Sequence, residues 1–245
     1  MSALRLAQKY SRIMWKFLAG DEAVRRAVWY RLFPLYYKVL FRLRPPGKPG
    51  QRKVFLDLGA NVGGGFDFFS QVFSPLSYDY HFVEPNPTCL PRLKEHVVKS
   101  RFANPPVFQS MAAWIRNETL HFYGVEESRN EITEGGSVVA RHNGALYNVQ
   151  PEKALEVQGR DMAEYLGELQ KSYDVIIIKM DIEGAELEVL EHLWRQPGLF
   201  VKETVMFVEF HAYCLASPEA RAEAAAKEQH LLREHPSRVR IYRWF

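Results

Sequence analysis

The sequence predicts an α/β fold, a mostly parallel sheet with helices on both faces, preceded by a helical extension. Three observations point there. From Lys53 onward, short apolar runs alternate with segments of helical periodicity, the pattern of strands joined by crossover helices. The run Val175–Ile178 is apolar without interruption, which suits a parallel strand covered on both faces. Three apolar runs also stop abruptly, at Leu58-Gly59, Val83-Glu84 and Met180-Asp181, and strand ends of this kind are where such sheets bind ligands.

Residues 4–18 read as an amphipathic helix, with Leu6, Tyr10, Ile13, Met14 and Phe17 on one face and Arg5, Lys9, Arg12 and Lys16 on another. Residues 22–33 read as a second helix that Pro34 ends or kinks, with a short aromatic continuation over 35–43. Arg44-Pro45-Pro46-Gly47-Lys48-Pro49-Gly50 opposes any regular element. The expected organisation is therefore an extension over 1–44, a linker over 45–52 and a catalytic domain over 53–245. Within that domain, strands are expected at Val54–Leu58, Tyr80–Val83, Val107–Met111, Tyr173–Met180, Thr204–Phe210 and Val239–Trp244, with an extra one at Leu120–Tyr123. Helices are expected over Phe66–Phe73, 160–171, Ala185–Arg195 and Pro218–Glu234. Residues 126–150 read as a long irregular excursion, and such loops in compact domains are often functional.

Composition narrows the class. A chain of 245 residues has room for one large α/β domain, and 47% hydrophobic with 25% charged residues excludes general disorder. Cys89 and Cys214 are far apart and lack neighbours at metal-ligand spacing, which argues against a disulfide framework and a zinc ribbon. Residues 1–44 carry ten basic and two acidic residues, a net +8 that leaves −5 for the rest of a chain whose total is +3. A basic, aromatic arm of this kind suits packing on the catalytic domain or self-association through residues 1–43, with contact with an anionic membrane surface as the alternative. No recognition motif supports nucleic acid. No stretch is apolar enough to span a bilayer and the start lacks a secretory signal, so the expected location is the cytoplasm, with peripheral membrane contact allowed.

Four segments carry chemistry. Val54–Leu58 runs into Gly59-Ala60-Asn61-Val62-Gly63-Gly64-Gly65, a turn whose glycines let the backbone approach a ligand closely. Asp57, at the strand end, is placed to face a ligand's ammonium group. The spacing misses the dinucleotide fingerprint, and no Gly-Lys-Ser/Thr follows, so an NAD-type oxidoreductase and a P-loop are disfavoured. Glu84, 27 residues after Asp57, ends the second strand, where a carboxylate can accept both ribose hydroxyls. Asp181 and Glu183 follow the third apolar run and Glu186 opens the next helix, where it equally suits the helix dipole. Alternation puts Glu209 and His211 on one face at the end of Thr204–Phe210.

These segments resemble the FkbM family of methyltransferases. The family's Asp-x-Gly-Ala-Asn-x-Gly turn appears as Asp57–Gly63, its Glu-Pro as Glu84-Pro85, and its Lys-x-Asp-x-Glu-Gly-x-Glu segment as Lys179–Glu186. Gly159-Arg160-Asp161 resembles the family's Leu-Asp element, with Arg160 in place of Leu. The resemblance runs from about Lys53 to His211 and leaves the first 50 residues outside. It implies a class I, Rossmann-like methyltransferase fold using S-adenosylmethionine, with O-methylation as the usual chemistry. Asp57, Gly59, Asn61 and Gly63 would hold the amino-acid end of the cofactor and Glu84 its ribose. Ser110 and Met111 would lie beside the adenine, and Asp181 near the sulfonium. The acceptor expected is a hydroxyl on a saccharide or other small molecule. Asp181, Glu183 and His211 are the candidate catalytic residues, with Asp181 or His211 favoured as base. A divalent cation on Asp181 and Glu183 is the alternative, and the metal-free version is preferred. A binding or scaffolding protein on the same fold is the rival class.

Overall fold

A computed structural model describes residues 22–125, 135–140, 150–215 and 217–244. The helix expected over 4–18 and most of the excursion 126–150 lie outside the described residues. The chain comprises two compact units, Met1–Pro45 and Pro46–Phe245.

In the first unit, helix α1 spans Glu22–Leu43 and runs through Pro34. Pro34 therefore does not end the helix, which corrects that alternative, and the aromatic segment 35–43 continues it as expected. Proline inside a helix removes one backbone hydrogen bond, a cost of about 3 kcal/mol that a helix of 22 residues can absorb. Phe33, Tyr37 and Phe41 recur at four-residue steps, and their rings meet at centroid separations of 4.1 and 5.6 Å. Leu32, Leu35, Tyr36, Val39 and Leu43 are exposed on the same helix. Among the described residues, no helix is long and apolar enough to cross a membrane.

The second unit is built on a six-stranded sheet. Its strands are β1 (Lys53–Leu58), β2 (Asp79–Val83), β3 (Val107–Gln109), β7 (Val175–Met180), β8 (Glu203–Val208) and β9 (Val239–Arg243). They lie in the order β3-β2-β1-β7-β8-β9, and every pair is parallel. Helices α2 (Gly64–Phe69), α3 (Cys89–Val97), α4 (Met162–Ser172), α5 (Glu186–Trp194) and α6 (Pro218–Arg233) alternate with the strands. This is the doubly wound order, which reverses direction between β1 and β7 and opens a crevice beyond their carboxyl ends.

Strand periodicity sorts the two faces. Leu56, Leu58, Ile178, Met180, Met206 and Val208 pack with Tyr165, Leu166, Val189, Leu190 and Leu231 of α4, α5 and α6. The opposite face is aromatic: Phe55, Phe69, Phe73, Tyr80, Phe207 and Trp244 meet ring to ring. Burying each such side chain is worth about 1.5–3 kcal/mol. Asp57 and Lys179 share this aromatic face and lie in register with Phe207 across three adjacent strands.

A second, three-stranded sheet departs from the sequence reading. It consists of β4 (Ala112–Trp114), β5 (Glu118–Phe122) and β6 (Leu155–Asp161), in the order β4-β6-β5. The extra strand expected at Leu120–Tyr123 belongs here, paired antiparallel with β6. Arg160 and Asp161 finish β6 and do not begin a helix. Asp161 caps α4 by accepting from the N–H groups of Ala163 and Glu164 at 2.8 and 3.3 Å. Helix α3 had no counterpart in the sequence reading. The third strand stops at Gln109, and β8 stops at Val208, so Ser110, Met111, Glu209 and His211 all lie beyond strand ends. Cys89 and Cys214 are free thiols.

Candidate functional site at the switch point of the sheet

The crevice beyond β1 and β7 holds an open pocket of about 560 Å³. Gly59, Asn61, Glu84, Asp181 and Glu183 line it, with Ala112, Ala113, Phe122 and Gly136 of the second sheet and the returning excursion.

Gly59 lets the two strand ends meet. Its φ is 74°, and a methyl added there would fall 1.8 Å from the backbone oxygen of Asp181. The close approach is fastened by Gly59 N–H and Ala60 N–H to Val83 O, and by Asp181 N–H to Leu58 O. Among the described residues, two non-glycines have positive φ, Asn61 at 47° and Glu183 at 54°. Both line the pocket, and backbone strain of this kind clusters at functional sites.

Glu84 is almost fully buried. One carboxylate oxygen accepts Asn61 N–H at 2.7 Å and the other accepts Asn86 N–H at 2.8 Å. Each oxygen keeps a further lone pair for a hydroxyl donor. Burial pushes Glu84 up to about 7, against the two backbone N–H groups, which favour the carboxylate. Asn86 fixes the following turn by accepting from the N–H and hydroxyl of Thr88 at 2.9 and 2.8 Å.

Beneath the pocket lies a buried charge network centred on Lys179. Its ammonium donates to Gly59 O at 2.6 Å and stands 3.2 Å from both Asp57 Oδ1 and Asp181 Oδ2. It also lies 5.2 Å from the centre of the Trp244 ring. Burial works against the charged ammonium, but Asp181 and Asp57 outweigh it and hold Lys179 above the usual lysine range. Burial raises Asp57 as well, with Lys179 drawing it back. Asp57 has no exposed surface and is absent from the pocket lining, so it reaches the pocket only through Lys179 and the turn above it.

On the far side, Asp181, Glu183 and His211 come together. His211 Nε2 lies 3.4 Å from Glu183 Oε2, 3.7 Å from Asp181 Oδ1 and 3.9 Å from Glu209 Oε1. His211 Nδ1 bonds Glu186 at 2.9 Å. The same Glu186 carboxylate accepts the N–H groups of Ile182 and Gly184, shaping the turn that presents Asp181 and Glu183. Burial works against a charged imidazole, but Glu186, Glu183 and Asp181 prevail and push His211 up to about 10. Ser137, from the returning excursion, donates its hydroxyl to Glu183 O at 2.5 Å and ties that segment to the turn.

The sequence-predicted residues thus divide. Gly59, Asn61, Glu84, Asp181 and Glu183 line one pocket, and His211 stands directly behind the last two. Asp57 lies beneath the pocket. Gly63, with φ 104°, precedes α2 and packs over His96. Ser110 is exposed and Met111 packs on the core, while the pocket wall after β3 is Ala112 and Ala113 of β4. Lys179 and Glu186 are structural centres of the site that residue-by-residue reasoning undervalued. A lysine inside an apolar strand, and an acid two residues after a glycine turn, were the signals available.

The family profile for the Methyltransferase FkbM domain matches residues 57–217. A search of curated proteins found no match. Among solved structures, the methyltransferase FkbM from Methylobacillus flagellatus is 15% identical, with a TM-score of 0.43, over 89% of this chain and 55% of that one. The plantazolicin methyltransferase BpumL, solved with a pentazolic desmethylPZN analog and SAH, is 12% identical, with a TM-score of 0.35, over 91% and 67%. The chain thus spans little more than half the length of the first of these structures.

Proposed function

Because the chain belongs to the FkbM family of methyltransferases, whose cofactor is S-adenosylmethionine, we propose that it methylates a hydroxyl oxygen of a small molecule or saccharide. One observation carries this reading. A single pocket has a buried carboxylate, Glu84, on one wall and the Asp181–Glu183 pair on the other. The first suits the two hydroxyls of a ribose, and the second suits an acceptor approaching the reactive end. The cradle depends on Gly59 in a further respect: a β-carbon at position 59 would collide with the backbone oxygen of Asp181 and force apart the two strand ends that line the pocket.

S-adenosylmethionine, when bound, supplies an electrophilic methyl on a sulfonium. The chain's own work is to position and to move a proton. Glu84 accepts the ribose hydroxyls, and the Gly59–Asn61 turn bounds the amino-acid end. Asp181 is the group we assign as base. It would take the proton of the acceptor's hydroxyl as that oxygen accepts the methyl group, which the cofactor would supply, S-adenosylhomocysteine being the other product. His211 suits that role poorly, since its neighbours keep it protonated at neutral pH. Holding the two reactants side by side in one pocket supplies the remainder through proximity.

The reading is tested by incubating the protein with methyl-labelled S-adenosylmethionine and fractions of small hydroxylated compounds and glycans. Label appearing in a methyl ether is the expected result. Label on nitrogen or carbon would overturn the acceptor assignment.

A further inference from the structure

We propose that Asp181, Glu183 and His211 form a site for one divalent transition-metal ion at the edge of the cofactor pocket. One ligand atom from each lies within 4.8 Å of the others. The imidazole sets this group apart from an ordinary acidic cluster. His211 is almost fully buried and its Nδ1 is bonded to Glu186, itself 1% exposed, so that Nε2 is the nitrogen turned toward Asp181 and Glu183. A carboxylate holding the far nitrogen of an imidazole is the usual outer support of a metal-ligating histidine.

The distances make the second argument. Nε2 stands 3.4 and 3.7 Å from the two carboxylate oxygens. Both exceed the usual length of a charge-assisted hydrogen bond, about 2.7–2.9 Å. Ligand atoms bound at about 2.0–2.2 Å around one ion are separated by roughly 3–3.6 Å. The gap is therefore close to that of a coordination edge. Two carboxylates balance a doubly charged ion, which would displace the proton that the same acids hold on His211 in its absence. Asp181 and Glu183 are about a quarter exposed and line the pocket, which leaves coordination positions open toward the acceptor.

Donor type selects the ion. Mg²⁺ and Ca²⁺ favour all-oxygen sites, whereas one imidazole with two carboxylates suits Mn²⁺, Fe²⁺ or Zn²⁺. The role of the ion rests on the methyltransferase reading above. Ligation would acidify the acceptor's hydroxyl and turn it toward the methyl donor, with Asp181 then serving as a ligand. Binding of the ion itself does not depend on that reading.

The test uses the full chain after chelator treatment, titrated with Mn²⁺ and followed by electron paramagnetic resonance. Expected are one bound Mn²⁺ per chain, nitrogen modulation in its spectrum, and no displacement by an equal concentration of Mg²⁺. Glu183→Gln and His211→Gln should each weaken binding by at least about tenfold, while Glu223→Gln on α6 leaves it unchanged. Should His211→Gln fail to fold, the nitrogen modulation in wild type and the Glu183→Gln result decide. Absence of saturable Mn²⁺ binding, binding without nitrogen modulation, or equal affinity in Glu183→Gln would each overturn the site. Cofactor affinity measured on the same samples separates the two readings, since a protein that binds Mn²⁺ but fails to bind added S-adenosylmethionine would sink only the enzymatic one.

Discussion

Lys179→Met should destabilise the protein by about 3–5 kcal/mol, because it leaves buried carboxylate without its counter-charge. Asp57 has no exposed surface, and the Lys179 ammonium stands 3.2 Å from its carboxylate. The same ammonium holds Gly59 O and Asp181 and so fixes both strand ends of the crevice. For a domain of this size the loss corresponds to a melting temperature lower by roughly 6–20 °C. Urea denaturation with circular dichroism measures it. Adding Asp57→Asn to Lys179→Met should recover part of the loss, since removing both charges costs less than removing one. A single variant within about 1 kcal/mol of wild type would show that the network is not what holds the site.

Asp181→Asn keeps the side chain's shape and removes its charge and basicity. Turnover should fall by about 10²–10⁴-fold, the usual contribution of a positioned base. Cofactor affinity should change far less, because the ribose contacts assigned to Glu84 remain. The variant also takes one partner from Lys179, so stability is measured alongside to separate unfolding from lost chemistry. Loss through Asp181 is expected whether it acts as base or as metal ligand, and the Mn²⁺ titration distinguishes these. Unchanged turnover would remove Asp181 from the mechanism.

The central sheet was legible because parallel strands covered on both faces read as apolar runs. Val175–Ile178 and Val54–Leu56 needed no context to be assigned. The second sheet was hidden for the opposite reason. Ala112–Trp114 is only three residues long. Leu155–Asp161 alternates Leu155 and Val157 with Glu156, Gln158 and Arg160, but Gly159 interrupts the inward-facing series. A β-carbon at that glycine would lie 2.8 Å from the Leu120 side chain and 3.1 Å from the backbone oxygen of Glu118, so a larger residue would press on β5. Pro34 left a helix end open as an alternative because propensity is a local rule that a long helix can override.

The site was legible as separate strand ends, and what sequence could not provide was their distance. Glu84 and Asp181 lie on opposite sides of one pocket because β1 separates their strands in the sheet order. Lys179 is a charge in an otherwise apolar strand, and register alone places it beside Asp57. Glu186 reads as an ordinary first-turn acid until His211, 25 residues later, is seen to bond it.

Calorimetric titration with S-adenosylmethionine at about pH 8 and about pH 6, on wild type and Glu84→Gln, tests most directly whether this pocket holds the cofactor through Glu84. With Glu84 pushed up to about 7, the carboxylate that accepts ribose hydroxyls prevails above that pH and the acid below it. Affinity should therefore rise with pH, by about tenfold across the two conditions if only the ionised form binds well. Glu84→Gln should bind more weakly at the higher pH, by roughly tenfold or more, and should lose that difference between the two conditions. Wild-type affinity retained in Glu84→Gln, with the same pH dependence, would contradict the account.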